Sequence, residues 1–247
     1  MKERQNRIYE ILSKQGGTTI EQLAKEVFAS EATIRRDLTK MEEQGLVLRV
    51  WGGAMCAKKT DSDPPMFARS AANIKAKKQI ARCAAKLVGD NMSLFLTSST
   101  TVAELSRLLI SRRNLTVITT GLDIIDTLRS KSSVRVISPG GELYENCSFA
   151  GTMTSNNIEA FMTDLFFFSC SGLTAEGFTC SDMMRTDIIR QMQKNSAKTI
   201  LLVDSTKVGK TYMYRGFDYA GVDLVIMDRM PDSPELVRVL GEKLIIA

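Results

Sequence analysis

From Met92 onward, six short apolar runs alternate with stretches that carry apolar residues at helical spacing, and this alternation constrains the fold more than any other feature of the chain. A strand buried on both faces reads as a continuous apolar run, whereas a helix laid on a sheet shows apolar residues three and four apart. The runs are Ser93 to Leu96, Thr116 to Thr119, Val134 to Ile137, Leu165 to Ser169, Thr199 to Val203 and Leu224 to Met227. Helical spacing appears in Val102 to Leu109, Leu122 to Leu128, Asp182 to Gln193 and Pro234 to Leu240. Strand and helix in turn predict βα units around a mainly parallel sheet. The 247 residues suffice for this domain and a smaller one before it.

The boundary is expected in Ala57 to Pro65, where Lys58-Lys59-Thr60-Asp61-Ser62-Asp63-Pro64-Pro65 has no hydrophobic period and ends in two prolines. This divides the chain into residues 1–56, a linker and connecting segment over 57–74, and residues 75–247. Met66 to Val88 reads as a helical segment, with Phe67, Ile74, Ile80, Ala81, Ala84 and Leu87 set among lysines and arginines on a solvated face.

Ahead of the linker, Arg4 to Lys14 places Ile8, Ile11 and Leu12 on one helical face, and Gly16-Gly17 ends that helix. A second short helix follows, capped by Thr19, with Ile20, Leu23, Ala24 and Val27 on its apolar side. After a tight turn, Ser30 caps a third helix whose Ile34, Leu38 and Met41 share one face, leaving Arg35, Arg36 and Thr39 on another. Beyond Gln44-Gly45, the run Leu46-Val47-Leu48-Arg49-Val50-Trp51-Gly52-Gly53 is a β-ribbon broken by a Gly-Gly turn. Helix, helix, turn, helix and an Arg-bearing ribbon make a winged helix-turn-helix, with the third helix in a DNA major groove and the wing on adjacent backbone. Paired arginines alone are ordinarily a solvated face. Here the cap, the turn, the apolar spacing and the wing surround them, and two guanidiniums with a hydroxyl suit phosphates and guanine edges.

Charge agrees without deciding the matter. Lys and Arg number 33 against 28 Asp and Glu, and through Lys59 there are 11 basic and 8 acidic residues. So weak a field leaves DNA affinity to a few placed contacts and to dimerisation. The chain opens on a charged helix, not a signal peptide, and runs such as Asp164 to Cys170 and Thr199 to Val203 are too short to span a bilayer, so a cytoplasmic protein is expected, with no membrane partner. Cys56, Cys83, Cys147, Cys170 and Cys180 form no CxxC pair and there is no histidine, so neither a disulfide framework nor a metal site is expected.

In a parallel sheet the loops after the strands rise on one side, and ligands of open α/β sheets bind there. These loops are rich in small polar residues: Thr97-Ser98-Ser99-Thr100-Thr101, Thr120-Gly121, Pro139-Gly140-Gly141-Glu142, Ser171-Gly172 and Asp204 to Gly209, in which Lys207 is the cation. Taken singly, each is an ordinary N-cap, turn or solvated lysine. Together on one edge they suggest a site for an anionic small molecule, with hydroxyls and N–H groups at a helix N-terminus holding a phosphate.

Arg7-Ile8, Leu23-Ala24, Ser30, Thr33-Ile34-Arg35-Arg36-Asp37-Leu38, Gly45, Arg49 and Gly52-Gly53-Ala54 resemble the DeoR family of bacterial transcriptional regulators. The segment from about Lys75 to Met230 is similar to the family's C-terminal sensor domain through Ser98 to Thr101, Val117 to Thr120, Gly140-Gly141, Gly151, Asp164, Gly172, Gly177, Thr179, Met192 and Asp204 to Gly209. The resemblance implies a Rossmann-like sensor related in fold to ribose-5-phosphate isomerase, with phosphorylated sugars as usual ligands. It also implies DNA contacts at Ser30, Thr33, Arg35, Arg36, Thr39, Arg49, Trp51, Gly52 and Gly53, and ligand contacts at Thr97 to Thr101, Thr120, Gly140, Gly141, Gly172 and Lys207. Four positions depart from the family's habit: Trp51 stands for His, Thr97 for Asp, Thr120 for Asn and Ser171 for Asp.

The expected function is a regulator, in the family's usual manner a repressor of carbohydrate-metabolism genes, that binds a double-stranded operator as a dimer or tetramer and is modulated by a phosphorylated sugar, without a cofactor. Two alternatives stand beside it. One is a C-terminal domain that serves only as an oligomerisation scaffold. The other is a sugar-phosphate isomerase, for which Asp164, Glu142, Asp204 and Lys207 are the remaining acid and base candidates once positions 97 and 171 lack carboxylates.

Overall fold

A computed structural model describes residues 3–43, 46–56, 63, 66–130, 133–145 and 147–247. The expected Gln44-Gly45 turn and, Asp63 apart, the linker Ala57 to Pro65 lie outside the described residues. The chain divides into two compact units, Met1–Ala72 and Asn73–Ala247.

In the first unit, helix α1 (Glu3–Gln15), strand β1 (Gly17–Thr19), α2 (Ile20–Glu26), α3 (Glu31–Glu43), strands β2 (Val47–Val50) and β3 (Gly53–Cys56) and helix α4 (Met66–Ala71) follow in order. Ile8, Ile11 and Leu12 of α1 pack with Ile20 and Leu23 of α2 and Ile34, Leu38 and Met41 of α3, so the apolar faces expected from spacing form one core. Strand β1 is an addition to the expected elements. Gly16, at φ 73°, turns the chain so that Gly17, Thr18 and Thr19 pair antiparallel with Met55, Ala54 and Gly53, giving a three-stranded sheet in the order β1-β3-β2. Three residues are too few to show a period of two.

The expected helical segment from Met66 to Val88 is two helices, α4 and α5 (Ile74–Ala85). Asn73 interrupts it in the left-handed conformation, φ 54°, and its amide donates to Asp204 Oδ1 at 3.2 Å and Thr206 Oγ1 at 3.1 Å. Nor is the basic face wholly solvated, because Lys77 is buried.

The second unit continues with β4 (Ser93–Leu96), α6 (Thr100–Leu108), β5 (Leu115–Thr119), α7 (Leu122–Leu128), β6 (Val134–Ile137), β7 (Glu142–Tyr144), β8 (Ser148–Ala150), α8 (Thr152–Ile158) and β9 (Thr163–Phe168). Then come β10 (Gly172–Thr174), β11 (Gly177–Cys180), α9 (Met183–Lys194), β12 (Ser196–Leu202), β13 (Tyr214–Arg215), β14 (Leu224–Met227), α10 (Pro234–Leu240) and β15 (Leu244–Ile246). Seven strands form one parallel sheet in the order β15-β14-β12-β9-β4-β5-β6. The continuous run in β9 is explained by burial on both faces: Leu165 and Phe167 join one core, while Phe166 and Phe168 join the other, their rings stacked at 5.1 Å. All six apolar runs lie in this sheet. The hairpin of β7 and β8, the helix α8, the small sheet β10-β11-β13 and the edge strand β15 are too short or too exposed to have shown a pattern.

The order of the strands sets the site. From β4 the chain moves outward through β5 to β6, then returns to β9 on the other side of β4 and moves outward through β12, β14 and β15. The pair β4 and β9 is therefore the topological switch point, and ligands of open α/β sheets bind outside the carboxyl ends of such a pair. Among the described residues no helix is long and apolar enough to cross a membrane.

Candidate functional site

Two groups of residues carry the candidate chemistry, one in each unit. In the first, Ser30 caps α3: its Oγ accepts from the Thr33 N–H at 3.3 Å and shares a hydrogen bond with Thr33 Oγ1 at 2.9 Å. Arg35 leans on Glu31 one turn earlier at 3.1 Å, an exposed pair that competing phosphates can displace at little cost. Arg36 is exposed, and among the described residues its side chain has no hydrogen-bond or ion-pair partner. Thr39 connects helix and wing, since its hydroxyl donates to the Arg35 carbonyl at 2.9 Å and accepts from Arg49 Nη1 at 2.9 Å. The Arg49 N–H also donates to Glu42 Oε1 at 2.9 Å.

At the wing tip Val50 pairs with Gly53, leaving Trp51 and Gly52 as the turn. Gly52 has φ 80°, a conformation glycine adopts without strain, and its carbonyl accepts from the Ile20 N–H at 2.9 Å. Trp51 is 84% exposed. Gly53 is buried in the central strand of the small sheet, so its backbone serves the wing's own pairing.

The structure adds Asp37 to this region. It lies on the buried face of α3 between Ile34 and Leu38, accepts from Arg4 Nε at 2.5 Å and Gln5 Nε2 at 3.4 Å, and so fastens α1 to α3. The hydrogen bond to Asp37 also raises the Arg4 guanidinium above its usual value. A carboxylate on an otherwise apolar helical face was the signal in the sequence, because a buried charge requires a partner.

In the second unit, the loop after β4 carries the central observation. Thr97 is buried, and both Thr97 Oγ1 and Ser98 Oγ are shielded without a hydrogen-bond partner among the described residues. Buried hydroxyls are nearly always bonded, and this unmet pair lies at the switch point of the parallel sheet. Ser99 is occupied as the N-cap of α6, accepting from the Val102 N–H at 3.1 Å, while Thr100 and Thr101 are buried in its first turn. The loop after β5 closes on this one: a Cβ on Gly121 would lie 3.2 Å from Ser98 Cα. Thr120 is buried beside it, and its carbonyl accepts from the Phe149 N–H at 2.9 Å.

Across the switch point, Ser171 is buried and its Oγ accepts from the Ser181 N–H at 3.2 Å. Gly172 is required by a chain crossing, since a Cβ there would stand 2.2 Å from the Lys210 carbonyl oxygen. The loop after β12 joins it through the Leu173 and Val208 bridge and the Gly209 N–H to Leu173 carbonyl bond at 2.9 Å. Lys207, half-buried in that loop, has no ion-pair partner among the described residues. Asp204 is buried and engaged, accepting from Asn73 and from the backbone and hydroxyl of Thr206.

Gly140 and Gly141, after the edge strand β6, are held by α8. Thr154 Oγ1 donates to the Gly140 carbonyl at 2.8 Å, and a Cβ on Gly141 would collide with that hydroxyl. Asp164 stands at the opposite edge of the sheet. It is the second residue of β9, where its Oδ2 accepts from both Ser93 N–H and Ser93 Oγ at 2.7 Å, and these bonds hold its carboxyl below the usual range. It is thus removed from the hydroxyl cluster by the length of the strand, which corrects its place among the acid and base candidates. A cleft of about 500 Å³ between α8 and α9, lined by Asn156, Met184, Arg190 and Lys194 among others, contains none of the unmet hydroxyls.

Residues 4–60 match the profile described as a DeoR-like helix-turn-helix domain, and residues 72–229 match the DeoR C-terminal sensor domain. The chain is 34% identical over 228 residues to the HTH-type transcriptional regulator GolR of Listeria innocua, covering 92% of this chain and 90% of that protein. It is 31% identical to the glycerol-3-phosphate regulon repressor of Escherichia coli, over 93% and 91% of the two chains. The transcriptional repressor AccR of Agrobacterium fabrum is 30% identical, over 98% and 94%. Among solved structures, ribose 5-phosphate isomerase A of Methanocaldococcus jannaschii aligns with TM-score 0.40 and 18% identity over 56% of this chain, which spans about half (55%) of the isomerase chain. The eIF2B delta of Chaetomium thermophilum aligns with TM-score 0.48 and 13% identity over 64% and 57%.

Proposed function

This chain belongs to the DeoR family of DNA-binding transcriptional regulators, and from that premise we propose that it is a repressor of carbohydrate-metabolism genes released from its operator by a phosphorylated sugar. The observation that carries the effector site is the unmet pair Thr97 Oγ1 and Ser98 Oγ at the switch point of the parallel sheet. Hydroxyls donate to phosphate and carboxylate oxygens, the first turn of α6 adds its N–H groups, and Lys207 supplies a positive charge from the loop after β12.

On the DNA side, Arg35 and Arg36 read the major groove from α3, with Ser30, Thr33 and Thr39 on the same helix, while Arg49, Trp51 and Gly52 approach the adjacent backbone from the wing. A homo-oligomer would place two such helices at half-sites one or more helical turns apart. Coupling of about 1–3 kcal/mol between the two sites changes DNA affinity roughly 5 to 150-fold, enough for a switch. Regulator relatives, the absence of a carboxylate at positions 97 and 171, and the remote position of Asp164 all favour a binding site over a catalytic one.

The test begins with DNA fragments retained by the purified protein, followed by a screen of sugar phosphates for release of the bound fragment. Arg35 and Arg36 replaced together by Ala should abolish retention at moderate salt with an unchanged far-UV circular dichroism spectrum. Retention by that variant refutes the assignment of α3, and a full sugar-phosphate panel without effect on binding or melting refutes the sensor.

A further inference from the structure

Phe28 is the most exposed large apolar side chain among the described residues, 96% accessible, and it stands where a helix ordinarily ends on glycine. Helix α2 closes with the paired bonds of a Schellman motif, from the Phe28 N–H to the Lys25 carbonyl at 3.4 Å and from the Ala29 N–H to the Ala24 carbonyl at 3.0 Å. The left-handed position of that motif, φ 51°, is taken by Phe28. A bulky side chain there costs free energy that Gly or Asn would avoid, and leaving the ring in water forgoes its burial. Neither cost is recovered inside the unit, so the use of this ring lies outside it.

Its position says what the ring meets. Two residues later Ser30 caps α3, whose exposed side carries Arg35 and Arg36, with Arg49 hydrogen-bonded to it from the wing. In a helix-turn-helix the N-terminal end of the second helix faces base edges while the preceding helix crosses the backbone, and the turn between them lies where the two meet. We propose that Phe28 is a DNA-contacting residue, its ring packed against apolar groups of the operator at the edge of the half-site. Two such groups are at hand, the thymine 5-methyl and the face of deoxyribose. The proposal rests on α3 being the reading helix.

The test uses the full chain and one fixed duplex selected by the wild-type protein from a random-sequence pool. Phe28→Asn should bind it about five- to tenfold more weakly. Its salt dependence should equal the wild type's, because an apolar contact releases no counterion, and its melting temperature should be equal or higher, because Asn tolerates the left-handed conformation. Replacing thymine by uracil throughout the duplex weakens the wild type but not the variant if the methyl is the partner, and neither if deoxyribose is. Wild-type affinity in Phe28→Asn overturns the proposal. Arg36→Ala, measured alongside, keeps the premise separate: unchanged affinity there rejects α3 as the reading helix, whereas weakened Arg36→Ala with wild-type affinity in Phe28→Asn rejects the Phe28 contact alone.

Discussion

Arg49 on the wing donates to the hydroxyl of Thr39 on α3 at 2.9 Å, and together with the bond from its N–H to Glu42 Oε1 this ties the wing to that helix. Thr39 at the same time donates to the Arg35 carbonyl, which fixes the orientation of its hydroxyl toward the helix and leaves its lone pair for Arg49. The wing guanidinium is thereby held in one orientation, which would lower the entropy lost if it meets DNA as proposed.

Arg49→Ala and Thr39→Val should each weaken operator binding, and the double variant should weaken it by less than their sum, with a coupling of about 0.5–1 kcal/mol. A double-mutant cycle on operator affinity measures this. Strict additivity would mean that Arg49 reaches DNA independently of Thr39.

Thr97→Val keeps the shape of the side chain and removes a buried hydroxyl that has no partner among the described residues. Stability should rise by about 1 kcal/mol, read from urea or thermal unfolding, because the desolvation of that group is no longer suffered. Response to sugar phosphates should fall while DNA affinity without effector is unchanged. A variant that loses stability would show that Thr97 has a bonding partner in the folded protein.

Asp164→Asn removes a carboxylate whose bonds from Ser93 lower its pKa in the folded state. A folded pKa below the unfolded one contributes stability above the unfolded value, about 3.9, and that contribution is lost as pH falls through the folded pKa. The variant should therefore melt below the wild type at pH 7, and the gap should close below about pH 4. Because Asp164 lies at the amino edge of the sheet, operator release by effector should be unaffected.

Much of the fold was legible because its elements are repeated and long enough to show a period. The six apolar runs all proved to be strands of one sheet, and the face formed by Ile34, Leu38 and Met41 proved to be core. What escaped was local or distant. Strand β1 exists only because Gly53 to Met55 is there to pair with it, and the break at Asn73 is held by Asp204, 131 residues away. The glycines illustrate the same limit: Gly141 and Gly172 read equally as turn formers or ligand contacts, yet the first makes room for Thr154 and the second for the Lys210 carbonyl.

By itself the sequence determined the family and which helix bears the paired arginines, because periodicity, caps and motif spacing are properties of neighbouring residues. Only the tertiary structure decided which hydroxyls remain unmet, that Asp164 stands apart from them, and that Asp37 is a strut between α1 and α3. Hydrogen-bond satisfaction and burial depend on what packs across the fold, and those partners come from strands and helices far apart in the chain.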